Sequence, residues 1–172
     1  MNSNIILVGF MGTGKTTVGK ILTQELKMQF VDMDATIEDR AGKSISRIFT
    51  EDGESHFRRM ERTLVQELAS KTGLVIAAGG GIVLNPDNIK DFSRSGKIIC
   101  LLASENEIIR RLTMSTTRPL LEKGDKLQRI KDLMATRRPL YEAIPSRIDT
   151  SRLTPEEVAE TIMLMVNAEG GI

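Results

Sequence analysis

The run Gly9-Phe10-Met11-Gly12-Thr13-Gly14-Lys15-Thr16 fits the pattern G-x-x-x-x-G-K-[ST] at every fixed position. Glycines at such positions adopt the φ > 0 turns that aim successive backbone N–H groups inward, which makes an anion nest at a helix N-terminus. A lysine directly after the last glycine reaches the β and γ phosphates of a nucleotide, and the following hydroxyl is a ligand for Mg²⁺. Gly12, Thr13, Gly14, Lys15, Thr16 and Thr17 are therefore the candidate nucleotide-binding residues. A ligand-free strand-to-helix turn, the competing reading, has no need of Lys-Thr after its glycine. The loop specifies a nucleoside triphosphate and Mg²⁺, and it leaves the second substrate open. No N-K-x-D guanine-recognition motif follows it, and Gly42-Lys43-Ser44 lacks both the first glycine and a preceding strand, so it reads as a turn.

Other candidates could act on that second substrate. Asp32 and Asp34, at the end of a second strand-like run, would face the same way if both lay on the strand. One carboxylate would then hold Mg²⁺ through water while the other orients and deprotonates an alcohol. An acidic helix cap at Asp34 is the alternative. Arg58 lies near Ile45, Phe49 and Phe57, a small apolar wall, although a solvated charge pair is the commoner fate of Arg58-Arg59. Gly79, Gly80 and Gly81 bring backbone N–H groups close to a ligand, or else form a plain flexible loop. Arg118 and Arg137 sit where guanidinium groups could meet a transferring phosphoryl or clamp a carboxylate. His56, the only histidine, has no second ligand or triad partner near it in sequence and is assigned no chemistry.

Elements must position these groups. Residues 4–8 form an unbroken apolar run, the pattern of a fully buried strand. Val18, Ile21, Leu22 and Leu26 then recur at helical period. Further strands are expected over residues 28–32, 74–77, 97–102 and 147–150, with helix-period segments between them. Asn85-Pro86 predicts a helix start, and Ser104 with Glu107 and Thr154 with Glu157 predict two capping boxes. Alternating strands and helices imply βαβ units and a largely parallel sheet. Two polar stretches, 43–62 and 114–126, fit the rhythm less well and suit an inserted substrate subdomain and a lid.

Composition bounds the remainder. The 172 residues suit one domain, and 24 Lys+Arg against 23 Asp+Glu leave a net charge of +1. No bulk field favours nucleic acid or an anionic membrane, so any anion must be met by a local cluster. No apolar run approaches the length of a membrane span, and no export signal opens the chain, so the cytoplasm is expected; no heptad or large apolar edge stands out, so a monomer is expected. The single cysteine, Cys100, lies in an apolar run and reads as a core thiol.

Taken in order and spacing, the phosphate loop through Thr17-Val18-Gly19, Asp32-x-Asp34, Phe57-Arg58, the three glycines, Arg118-Pro-Leu-Leu and Arg137-x-Pro-Leu-Tyr resemble the shikimate kinase family over nearly the whole chain. The resemblance implies a P-loop NTPase fold like that of nucleoside monophosphate kinases: a three-layer α/β/α domain with five parallel strands in the order 2-3-1-4-5. It implies a substrate-binding subdomain at about 33–62 and a lid at about 112–126, within one domain spanning 1–172. It implies transfer of the ATP γ-phosphate to the 3-hydroxyl of shikimate, with Mg²⁺ as cofactor. Asp34 would then be the base, with Lys15 and Arg118 also catalytic, and Arg118 would be the lid cation. Arg58 and Arg137 would clamp the shikimate carboxylate, with Gly79, Gly80 and Gly81 lining the same pocket. Thr16 and Asp32 would hold the metal, and Arg111, Arg152 and Pro155 would flank adenine. A kinase of the same fold for gluconate or a nucleoside monophosphate, or a non-catalytic nucleotide-binding module, are the competing readings.

Overall fold

The computed structural model describes residues 3–114 and 126–168. A five-stranded parallel sheet runs through the molecule in the order β2-β3-β1-β4-β5. Its strands are β1 (Asn4–Val8), β2 (Gln29–Asp32), β3 (Leu74–Ala77), β4 (Gly96–Leu102) and β5 (Arg147–Asp149). The helices are α1 (Lys15–Leu26), α2 (Met33–Ala41), α3 (Ile45–Glu51), α4 (Glu54–Ala69), α5 (Pro86–Ser95), α6 (Glu105–Met114), α7 (Lys126–Glu142) and α8 (Pro155–Ala168).

The unbroken apolar run of β1 is explained by its central place, paired with β3 on one side and β4 on the other. Ile5 and Leu7 point into a core shared with Val18 and Leu22 of α1 and Val158 and Ile162 of α8. Ile6 and Val8 point the other way, into a core built from Leu64 and Val65 of α4, Phe92 of α5 and Ile108 of α6. Each of these four β1 side chains is fully buried and contributes roughly 2 kcal/mol by leaving water. Helices on both faces of a parallel sheet make the three-layer architecture that the resemblance implies.

Two polar details fix the frame. Asn4, almost fully buried, donates to the Lys71 carbonyl at 2.8 Å and accepts from the Leu74 N–H at 3.0 Å, which registers β1 against the start of β3. A Cβ on Gly19 would stand 2.6 Å from the Phe30 ring, so only glycine lets α1 lie this close to β2.

Both capping boxes form, but unequally. At α8 the box is reciprocal: Glu157 N–H donates to the Thr154 hydroxyl and Thr154 N–H to the Glu157 carboxylate. At α6 only the Glu107 N–H donates to the Ser104 hydroxyl. The Glu107 carboxylate turns instead to Arg110 and Arg111, and Ser104 N–H donates to Ser151 Oγ. Gly42-Lys43-Ser44 is the turn expected of it, ending α2 with a left-handed Gly42 and capping α3 with Ser44. Residues 33–62 fold as α2, α3 and the first half of α4.

Candidate active site

All the candidate groups that the structure describes gather at the carboxyl edge of the sheet, where open parallel sheets bind ligands. β1 delivers the phosphate loop. Gly9 has φ 141°, and a Cβ there would collide with the Leu101 carbonyl of β4. Gly14, at φ 96°, is the N-cap of α1 and offers no side-chain cap, so the first amides of α1 are left for a ligand. Thr13 is buried and donates its hydroxyl proton to the Phe10 carbonyl at 2.8 Å, which closes the loop on itself. The Lys15 ammonium lies over the loop, donating to the carbonyls of Gly9 and Phe10 at 2.8 and 2.9 Å. Thr17 is exposed in the first turn of α1.

Thr16 donates its hydroxyl proton to Asp32 Oδ2 at 2.9 Å. The other oxygen, Oδ1, accepts the N–H groups of Asp34 and Ala35. Asp32 therefore ends β2 and caps α2, and Asp34 stands in the first turn of that helix. This corrects the expectation that both carboxylates share a strand face. The cap is Asp32 and not Asp34, and the helical turn, not strand alternation, brings the second carboxylate round. A hydroxyl and a carboxylate oxygen side by side form a hard-oxygen pair suited to Mg²⁺, which takes only one or two protein ligands beside phosphates and water. Among the described residues no cluster of three or more potential metal-ligating side chains occurs.

A second group of residues surrounds the turn after β3. A Cβ on Gly79 would meet Asp34 Oδ1 at 2.7 Å and Glu61 Oε1 at 3.2 Å. One on Gly80 would lie 3.7 Å from Arg137 Nη1 and 3.6 Å from the Met11 nitrogen of the phosphate loop. One on Gly81 would overlap the Arg58 guanidinium. Gly79 and Gly81 thus make room for Asp34 and Arg58, Gly80 lies in ordinary contact range of Arg137, and the same turn borders the phosphate loop. Arg58 is held from one side of α4: its Nη1 donates to Glu61 Oε2 at 2.9 Å and its Nη2 to Glu54 Oε1 at 3.1 Å. Its guanidinium carbon sits 5.2 Å from the centre of the Phe57 ring, which in turn packs on Phe49.

Two residues to which the sequence reading gave no role belong to this group. Glu61 is buried, and its Oε1 lacks a hydrogen-bond partner. Burial pushes its carboxyl above the usual range; Arg58 opposes that shift, Asp34 adds to it, and Arg137 opposes it. Its spacing of three from Arg58 on one helix was the available signal. Tyr141 of α7 donates its hydroxyl to the Gly80 carbonyl, and burial holds its pKa at about 12 against the pull of Arg137. Pro139 lies within α7 between Arg137 and Tyr141, and the helix runs on past it to Glu142.

At the other end of the phosphate loop, Arg111 of α6 donates to the Gly12 carbonyl at 3.2 Å and to Thr150 at the end of β5. Arg152 and Pro155 are exposed just beyond, at the start of α8. Glu107 accepts from both Arg110 and Arg111, which lower its carboxyl to about 2. Arg118, with most of the expected lid at 112–126, lies outside the described residues. Cys100 is buried beneath the loop, its thiol pushed up to about 12 by burial, and is a core group as expected.

Comparison with known proteins adds a family to this geometry. The family model for shikimate kinase matches residues 11–167. A shikimate kinase of Thermodesulfovibrio yellowstonii is 50% identical over 160 residues, covering 93% of this chain and 92% of that one. One from Pelotomaculum thermopropionicum is 43% identical over the same length, with 93% of each chain covered. The solved structure of Acinetobacter baumannii shikimate kinase in complex with shikimate superposes with a TM-score of 0.91 at 33% identity, covering 99% of this chain and 96% of that one. A gluconokinase from Sinorhizobium meliloti shares the fold alone, with a TM-score of 0.60 at 16% identity over 98% of this chain and 97% of its own.

Proposed function

Because the chain belongs to the shikimate kinase family, we propose the roles by which its residues carry out that family's reaction. The protein is a kinase that transfers the γ-phosphate of ATP to the 3-hydroxyl of shikimate. The products are shikimate 3-phosphate and ADP, on the route to chorismate and the aromatic amino acids. The observation that supports the assignment of roles is the convergence of Asp34, Arg58 and Arg137 on one three-glycine turn that also borders the phosphate loop.

Arg58 and Arg137 hold the acceptor's carboxylate, a planar anion that two guanidinium groups meet with paired hydrogen bonds. Glu54 and Glu61 keep the Arg58 fork aimed at the Gly81 side of the pocket. Asp34 orients the acceptor hydroxyl and takes its proton as the oxygen attacks in line. The α1 amides and Lys15 bind the phosphates, and Arg118 supplies a further cation over the transferring group. Thr16 and Asp32 would hold Mg²⁺, directly and through water. When bound, the ion neutralises charge on the phosphate oxygens. Residues 33–62 serve as the acceptor-binding part of a single domain and 112–126 as its lid. No described helix is long and apolar enough to cross a membrane, and the one thiol is buried. A monomeric enzyme of the cytoplasm suits both.

A coupled ADP-release assay across shikimate, gluconate and the nucleoside monophosphates tests the acceptor. Turnover with shikimate alone is expected; turnover with gluconate and none with shikimate would overturn it. Asp34→Asn should lower kcat by about 10²–10⁴ while ADP affinity holds, the scale of a lost general base. An Asp34→Asn enzyme with full kcat removes Asp34 from that role.

A further inference from the structure

Thr150 is a buried polar residue, 2% exposed, immediately after β5. Its N–H donates to the Leu102 carbonyl at 2.8 Å. Its hydroxyl proton is shared between that carbonyl at 3.0 Å and the Thr13 carbonyl of the phosphate loop at 3.3 Å. The same hydroxyl oxygen accepts from Arg111 Nη1 at 3.1 Å, and the Thr150 carbonyl accepts from Nη2 at 2.7 Å. One side chain thereby ties together the phosphate loop, the carboxyl end of β4 and a guanidinium of α6.

Arg111 is correspondingly constrained. Nη1 also reaches the Gly12 carbonyl at 3.2 Å, and Nε donates to Glu107 Oε1 at 2.6 Å. Four of the five guanidinium donors are thus engaged, and those N–H groups point out within the guanidinium plane. Bonds in that plane fix its tilt and leave its faces for stacking, so the plane's orientation is set by Thr150, Gly12 and Glu107 together. Glu107 is available because it leaves its own capping box half-formed, the Ser104 N–H being taken by Ser151.

We propose that Thr150 is a positioning residue for the nucleotide: its hydroxyl holds the Thr13 side of the phosphate loop and the Arg111 guanidinium in one register, with Glu107 fixing the far edge of Arg111. The base end and the phosphate end of ATP then meet a single pre-set surface. This rests on the reading that Arg111 flanks the adenine. Among the described residues the hydrogen bonds of Thr150 and Glu107 go to the phosphate loop, β4 and α6 with its cap and not to Asp34, Arg58 or Arg137, so their effect should be confined to the nucleotide.

The test is calorimetric titration of ADP without acceptor, together with KM for ATP and for shikimate, on Thr150→Val, Thr150→Ser and Glu107→Gln. ADP binding is read independently of which alcohol is phosphorylated, so a failed acceptor assignment leaves this result standing. Thr150→Val keeps the shape and removes the hydroxyl; it should weaken ADP and raise the ATP KM by about tenfold, with the shikimate KM unchanged, the scale of a lost bond to a charged group. Thr150→Ser should restore both to within about twofold. Should Thr150→Val fail to fold, Glu107→Gln, a half-buried and near-isosteric change on α6, must by itself weaken ADP by about threefold, an ordinary partner-loss effect. Unchanged ADP affinity in Thr150→Val, an equal rise in both KM values, or a Thr150→Ser enzyme as impaired as the valine variant would each overturn the proposal. With Thr150→Val unfolded, native ADP affinity in Glu107→Gln would do the same.

Discussion

The Arg58 guanidinium occupies the space into which a side chain on Gly81 would grow: a Cβ there would lie 2.5 Å from Nη2 and 2.7 Å from Cζ. Gly81 has φ −95°, so glycine is not required by the backbone at this position. What the missing side chain provides is room for Arg58 to reach across from α4 and lie along the turn after β3.

Gly81→Ala should therefore leave the fold nearly intact, because the obstructed group is the far end of a flexible side chain. It should displace the guanidinium and raise the shikimate KM by about tenfold, with the ATP KM within about twofold, since one charged hydrogen bond is at stake. Steady-state kinetics with each substrate varied in turn checks it. A native shikimate KM would mean that Arg58 does not bind the acceptor from this position.

Arg58→Lys keeps the charge and loses the fork. Glu61 and Glu54 each accept from a separate nitrogen of Arg58, which a single ammonium cannot reproduce while also meeting a carboxylate. The expected cost in shikimate affinity is about 2 kcal/mol, on the scale of a charged pair broken in a desolvated site. Isothermal titration with shikimate measures it, and a change under about 0.5 kcal/mol, the size of an exposed pair, would contradict the clamp.

Glu61 gives a pH dependence whose sign follows from its environment. Its folded-state pKa is raised by burial, so its contribution to stability is whole below the ordinary carboxylate range and is lost as pH rises through the raised value. Glu107 and Asp149, whose pKa values are lowered, act in the opposite sense and are common to enzyme and variant. In a comparison with Glu61→Gln those contributions cancel. The melting temperature of the variant should gain on that of the parent as pH is raised from about 4 to about 7, the span in which a raised carboxyl titrates. Parallel curves would show that Glu61 titrates normally.

Tyr141→Phe removes the hydroxyl that donates to the Gly80 carbonyl and changes nothing else in volume. A loss of about 1 kcal/mol is expected, which for a chain of this size lowers the melting temperature by roughly 2–4 °C. Thermal unfolding measures this. The shikimate KM should rise with it, because the same carbonyl anchors the turn on which Arg58 and Arg137 converge; a stability loss with native kinetics would limit Tyr141 to a packing role.

The phosphate loop was legible because its chemistry is local. Glycines that need positive φ, a lysine and a hydroxyl must follow one another within eight residues, and the order of types alone states the phosphate-binding chemistry. The strands were legible for a related reason: a strand buried on both faces has no polar position to spare, and β1 and β3 show none beyond Asn4. The acceptor residues Asp34, Arg58 and Arg137 could be read only as a set, through the resemblance, because each alone is an ordinary surface charge.

What the chain order could not show is where a side chain ends up when the elements fold back on each other. Asp34 reaches the site from a helix because Asp32 spends one oxygen capping α2 and offers the other to Thr16. Glu61 matters because α4 packs beneath the glycine turn and shuts its carboxylate away from water. Thr150 meets Thr13 across 137 residues of sequence because β5 pairs with β4 at the same sheet edge that carries the loop. Propensity and motif act over a few residues. Burial, shared protons and the orientation of a guanidinium plane are set by neighbours that only the folded sheet brings together.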